Sequence, residues 1–275
     1  MRRFAPLQWI KYACLWAGVL AVLFPPYVVL LSAFKGKQEF AESGVFDWPN
    51  SFLNFSNFEF VLSTGNMARA FGNTAFIIAA TLALNLFIGT MAAYVLGRFE
   101  FRLKKLITAV YIAIAFIPTI TTQVAVFTVI QKLGLFNTIY APIVLYIGTD
   151  IMQLYVYLQF IRTIPYDLDE AAMAEGASLV RIYFQIVLPL LMPAVATMMI
   201  IKAIGIYNDM YIPYLYMPAK ELGVVSTQLM RFVGNKTAEW ELISASILVI
   251  MLPMIALFLV AQKYVFAGIV TGAVK

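Results

Sequence analysis

The sequence predicts an all-α, polytopic membrane protein with six transmembrane helices and a helix–turn–helix on the cytoplasmic side. Three observations predict it. Of 275 residues, 63% are hydrophobic and 12% are charged, whereas soluble globular domains carry about a quarter charged residues. A water-soluble fold of this length has too little interior to bury that much apolar surface. Runs able to cross about 30 Å of hydrocarbon, at about 1.5 Å per helical residue, recur along the whole chain. Lys and Arg are shared unequally between alternate loops, and such residues favour the cytoplasmic side.

The spans are expected at about residues 12–34, 72–96, 106–130, 140–161, 189–212 and 242–262, within one transmembrane domain covering 1–275. The first follows Arg2, Arg3 and Lys11. Its apolar stretch exceeds a signal-peptide core and lacks a convincing small-residue cleavage site, so it reads as a retained anchor. The third contains Pro118, a point where the helix is expected to break and expose polar groups. The fourth is interrupted only by Asp150, and the fifth carries Lys202. With the N-terminus inside, the cytoplasmic segments hold eleven Lys and Arg and the outer segments seven. Arg98, Arg102, Lys104 and Lys105 supply four of those eleven from a single short loop, a cluster hard to place outside. Both termini are then cytoplasmic. The net charge of +5 reads as this topology signal; no basic patch is interleaved with aromatics, so no nucleic-acid partner is expected.

The outer segment Lys35–Arg69 is amphipathic and rich in Phe, Asn and Ser, placing aromatics at the membrane interface. Between spans five and six, Val224–Phe232 reads as a short helix after the turn signals Pro213, Pro218 and Gly223.

The fourth loop, 162–188, is too organised for a connector. Pro165 suits an early helical position, and Asp167, Asp169 and Glu170 place negative charge where the helix dipole favours it. Ala171, Ala172, Met173 and Ala174 are good helix formers. Gly176 permits the left-handed turn that ends a helix, and Ser178 caps a second one that runs into Pro189. The result is a helix–turn–helix elbow.

Ionisable groups at bilayer depth are costly and face a partner or a watery path. Asp150 and Lys202 sit at similar depth on antiparallel spans and are expected to pair. Tyr207, Asn208, Asp209 and Gln123 combine aromatic and hydrogen-bonding side chains, as a solute path requires. With no His and one Cys, the chain has no disulfide framework within itself and no zinc, haem or other metal ligand set. Cys14, inside an apolar run, reads as a packing residue. No G-x-x-x-x-G-K-[ST] phosphate loop is present, and no clustered catalytic groups suggest a membrane-embedded enzyme.

Glu170-Ala171-Ala172, Gly176, Ile186, Leu188 and Pro189 fit the spacing E-A-A-x3-G-x9-I-x-L-P at every position. This resembles the EAA loop of ABC importer permeases. The sugar-importing branch, of the maltose and multiple-sugar type, is further resembled by Leu133-Gly134-Leu135-Phe136-Asn137-Thr138, by Tyr207-Asn208-Asp209 and by Gly268–Lys275. Tyr207 departs from the Trp usual in that element. The resemblance implies a permease subunit that forms half of a carbohydrate path in a bacterial or archaeal cytoplasmic membrane. It implies a second, related permease, two ATP-binding subunits and an extracellular or periplasmic sugar-binding protein as partners. ATP and Mg would then sit on the ATPase, with no cofactor in this chain, and the elbow would couple hydrolysis to transport. The alternatives are an importer of another solute such as a phosphate ester, and a secondary carrier or channel. Additional Arg in the spans would mark the first, and paired half-repeats would mark the second; neither is seen.

Overall fold

The computed structural model describes residues 6–63, 66–232 and 239–273, and all regular structure among them is helical. In chain order the α-helices are α1 (Pro6–Ala33), α2 (Lys37–Glu42), α3 (Ser56–Ser63), α4 (Met67–Arg98), α5 (Lys104–Ala115), α6 (Thr119–Lys132) and α7 (Tyr140–Tyr146). They continue as α8 (Ile151–Thr163), α9 (Asp167–Ala174), α10 (Leu179–Ile182), α11 (Leu188–Asn208), α12 (Tyr211–Tyr216), α13 (Val225–Gln228) and α14 (Trp240–Ala273). A π-helical turn, Tyr183–Val187, joins α10 to α11 without a break.

Four stretches are long and apolar enough to cross a membrane as they stand: Gln8–Ala33, Met67–Arg98, Leu179–Asn208 and Trp240–Leu259. The other two expected spans are bent pairs, α5 with α6 at 108° and α7 with α8 at 50°; counting each pair as one crossing gives six. Pro118 explains the first bend. It lacks an N–H and adopts an extended ψ of 125° at the N-cap of α6. The second bend lies at Gly148–Asp150, where Asp150 turns extended and caps α8 by accepting from the Gln153 N–H at 2.8 Å.

The chain divides into two compact units of discontinuous segments, Met1–Ala68 with Thr227–Ile255, and Arg69–Ser226 with Ala256–Lys275. In the first unit, α1 presents every side chain from Gln8 to Tyr27 to its surroundings, an apolar surface that suits hydrocarbon. Cys14 is exposed with them rather than packed. Below α1, Asn57 donates to the carbonyls of Ala33 and Lys35 at 2.9 and 2.8 Å, satisfying the helix end. The buried Lys35 ammonium donates to the Gly44 carbonyl at 2.7 Å. Phe34 packs on Phe52, Phe55 and Phe58, with ring centroids 5.1–5.8 Å away.

In the second unit the core joins Tyr94 and Leu96 of α4, Leu154, Tyr157 and Ile161 of α8, and Leu191, Val195 and Met198 of α11. Glycines set the spacing. A Cβ on Gly97 would lie 2.8 Å from Cγ2 of Ile161, and one on Gly89 would lie 2.9 Å from Oγ1 of Thr149. Small residues that let backbones approach are the usual source of helix association in a membrane, where dispersion and hydrogen bonds do the holding.

Candidate functional site

The elbow runs from α9 to the start of α11. Its corner is a Schellman turn: the Gly176 N–H donates to the Met173 carbonyl and the Ala177 N–H to the Ala172 carbonyl, both at 2.9 Å. Gly176 sits at φ +84°, a conformation that a Cβ resists. Ser178 is extended, and its Oγ accepts from the Arg181 N–H at 3.3 Å, starting α10. The π turn follows from Pro189. Its ring offers no N–H to the carbonyl four residues back and crowds it, so the preceding turn widens, and the Leu188 N–H donates to Tyr183 five residues earlier.

The two faces of α9 differ sharply. Asp169 is buried and Ala172 half-buried, the latter packed against the core described above. Opposite them Asp167, Glu170, Ala171 and Ala174 form an exposed ridge at helical spacing, flanked by exposed Leu168 and Met173. The Asp169 carboxylate lies 3.0 Å from Nε of Arg98 at the end of α4, with the two side chains only 4% and 7% exposed. The guanidinium also sits over the Tyr166 ring, 5.6 Å from its centroid. Burial pushes the Asp169 carboxyl above its ordinary value, and the Arg98 charge acts in the opposite sense. Further along, Tyr183 packs against Tyr94, and its hydroxyl lies 2.7 Å from Oγ1 of Thr90 on α4. The inner corner holds a cleft of about 210 Å³ lined by Ala172, Glu175, Ala177, Arg181, Ile182, Gln185 and Ile186. Of the motif residues, Glu170, Ala171, Gly176 and Pro189 are therefore outward, whereas Ala172, Ile186 and Leu188 partly serve the chain's own packing.

The intramembrane charges are placed differently from expectation. Among the described residues no ion pair joins Asp150 to Lys202. The Lys202 ammonium donates to the Gly148 carbonyl at 2.7 Å, while Asp150 is the cap of α8. The reason is the bend. Breaking a helix strands backbone groups that hydrocarbon cannot satisfy, each worth several kcal/mol, and polar side chains are drawn to them. Asn85 completes the repair by donating to the carbonyls of Ile147 and Gly148 at 2.8 and 3.0 Å. Gln153 in turn donates to Asn85 and Tyr157.

The expected solute-path residues also separate. Gln123 is buried and accepts from the Tyr216 hydroxyl at 3.0 Å. Asp209 is consumed by internal bonds: Oδ1 accepts from the N–H groups of Tyr211 and Ile212, and Oδ2 from the Tyr146 hydroxyl at 2.8 Å. Tyr207 is buried, and Asn208 alone of the four has an exposed side chain. Asn137, in the connector between α6 and α7, adopts φ +57° and brackets the turn that follows α12: its N–H donates to the Tyr216 carbonyl and its Oδ1 accepts from the Ala219 N–H, both at 2.9 Å.

Four residues that shape the site escaped the sequence reading: Asn85, Arg98 as a partner of Asp169, Tyr166 and Thr90. An Asn in the middle of the apolar run of the second span is a visible signal for the first. The sequence marks Arg98 only as a topology charge.

Three comparisons bear on this geometry. A family model described as binding-protein-dependent transport system inner membrane component matches residues 85–270. The melibiose/raffinose/stachyose import permease protein MelC of Bacillus subtilis is 34% identical, over 99% of this chain and 99% of that one. The maltodextrin transport system permease protein MalD of Streptococcus pneumoniae is 30% identical, over 98% of this chain and 95% of that one. Among solved structures, a bacterial ABC transporter involved in import of the acidic polysaccharide alginate superposes with a TM-score of 0.85. It covers 96% of this chain and 98% of that one at 19% identity, a likeness of fold.

Proposed function

This chain belongs to the family of binding-protein-dependent transport system inner membrane components, and from that premise we propose that it is the permease subunit of an ATP-driven oligosaccharide importer. The relatives named for raffinose-type sugars and for maltodextrin support a carbohydrate solute. The chain forms half of the path, beside a second and related permease. Solute arrives on an extracellular or periplasmic binding protein, and two ATPase subunits hydrolyse ATP with its Mg on the cytoplasmic side.

The observation that carries this reading is the exposed ridge of α9, with Glu170 and Ala171 outward on a helix whose other face is fixed to the spans. A carboxylate beside small side chains can enter a groove closely and pair with a basic residue there. The elbow is continuous with α8 on one side and α11 on the other. Displacement of the ridge when the ATPase closes is thus delivered to two crossings at once.

The test is Glu170→Lys in the assembled importer. It reverses the charge of the ridge without touching a span, so the protein should stay abundant in the membrane. ATPase co-purification should fall about tenfold, the equivalent of ~1.4 kcal/mol, and transport should fall with it. Wild-type association together with wild-type transport would falsify the coupling role.

A further inference from the structure

We propose that the buried Arg98–Asp169 pair is a latch that makes the elbow move with α4, adding a third crossing to the two joined to it through the chain. The inference rests on the coupling role given to the elbow above. No covalent segment links α9 directly to α4; the two latch residues are 71 positions apart (169 − 98). Ala172 of α9 packs on the core that includes Tyr94 and Leu96 of α4, and the polar link between the two helices is a 3.0 Å ion pair whose side chains are both more than nine-tenths buried, with the guanidinium over Tyr166 at the foot of α9. Asp169 lies on the face of α9 opposite the Glu170–Ala171 ridge. A push on the ridge therefore reaches Arg98 across the width of one helix.

Stability alone is a weak reason for such a pair. Apolar side chains of similar volume often hold a buried site as well or better, because two charges must be taken out of water. A charge pair differs in that its partners cannot part cheaply, since either one left alone is a buried unpaired charge. It keeps Arg98 in register with one face of α9 where a greasy contact would let the helices slide. The neighbouring position adds an apolar contact beside the pair: Gly97 brings α4 so close to Ile161 of α8 that a Cβ would stand 2.8 Å away. The end of α4 is thus pinned to α8 and to α9 within two consecutive residues.

The experiment uses the assembled importer, both permeases with the two ATPase subunits and the solute-loaded binding protein, with Cys14 replaced by Ser and nitroxide pairs introduced for distance measurement. One pair joins exposed Leu53→Cys to Val95→Cys on α4, and the other joins Leu53→Cys to Met192→Cys on α11. Mg-ATP is the probe. In the parent complex both distances should shift. In Asp169→Asn the α11 shift should persist, and the α4 shift should fall to less than half. An undiminished α4 shift in Asp169→Asn overturns the latch while leaving the coupling role standing, as does a parent complex in which only α11 moves. If neither distance responds to Mg-ATP, the coupling role itself fails. Should Asp169→Asn not accumulate, the double variant R98M/D169L leaves no buried charge and should return to normal abundance. The latch requires the α4 shift to remain lost there, and its recovery would mean that ordinary packing suffices.

Discussion

At Gly176 the backbone alone decides what a substitution does. An added Cβ would meet nothing within 4 Å, yet φ is +84°, so the cost is conformational, about 1–2 kcal/mol for an ordinary residue. Asn tolerates the left-handed region better than Ala, and Val tolerates it least. ATPase association should therefore weaken in the order Asn, Ala, Val, with Val losing about five- to thirty-fold; an order indifferent to β-branching would refute the argument. Asp150 gives a contrasting case. Because it acts as a cap, Asp150→Asn should leave thermal stability in detergent nearly unchanged, whereas Asp150→Ala should cost about 1 kcal/mol. A large loss in Asp150→Asn would show that its charge matters after all. Asp169 adds a pH dependence. Its carboxyl is raised in the folded protein, so its stabilising contribution is complete below the unfolded carboxyl value, about 3.9, and is lost as pH rises through the folded value. The stability of the native protein relative to Asp169→Asn should thus increase on acidification from pH 7 toward pH 4, which thermal unfolding at the two pH values measures.

Between elements, the closest test is the α4–α8 contact. Gly97→Val would drive a branched side chain into Ile161, and overpacking of this kind costs about 1–3 kcal/mol. Folded yield should drop, and Ile161→Ala should recover much of it by vacating the space. Equal yields for Gly97→Val with and without the second change would argue against the contact. The same contrast explains what the sequence made legible. Pro118, Gly176 and Ser178 act on their own backbone, within one turn, so their consequences could be read directly from the chain. The apolar runs likewise announced themselves through composition. Bends of 108° and 50° could not be read as angles, because their size depends on what the freed carbonyls find. Asn85 and Lys202 reach the α7–α8 break from other helices, and Arg98 meets Asp169 from another span. Such pairings rest on tertiary register, which no local pattern encodes. The expected path residues show a related effect: Gln123 and Asp209 are bonded to hydroxyl and backbone groups of neighbouring elements, and Asn208 is left outward.

For the whole molecule, the proposed orientation across the bilayer makes a direct prediction. If the elbow lies inside and the α2–α3 segment outside, Leu53→Cys should react with a membrane-impermeant maleimide in intact cells, and Ser178→Cys only after permeabilisation, both on a Cys14→Ser background. The reverse pattern would invert the topology. The Arg98–Asp169 contact also sets a clock on biogenesis. Arg98 leaves the ribosome 71 residues before Asp169, which at roughly 5–20 residues per second is about 4–14 s. During that interval the guanidinium waits at the membrane surface with lipid headgroups and water as its company. The elbow can take its final angle only once the fourth span has followed the second into the bilayer, so a nascent chain stalled between them carries a second span with its end still unfastened.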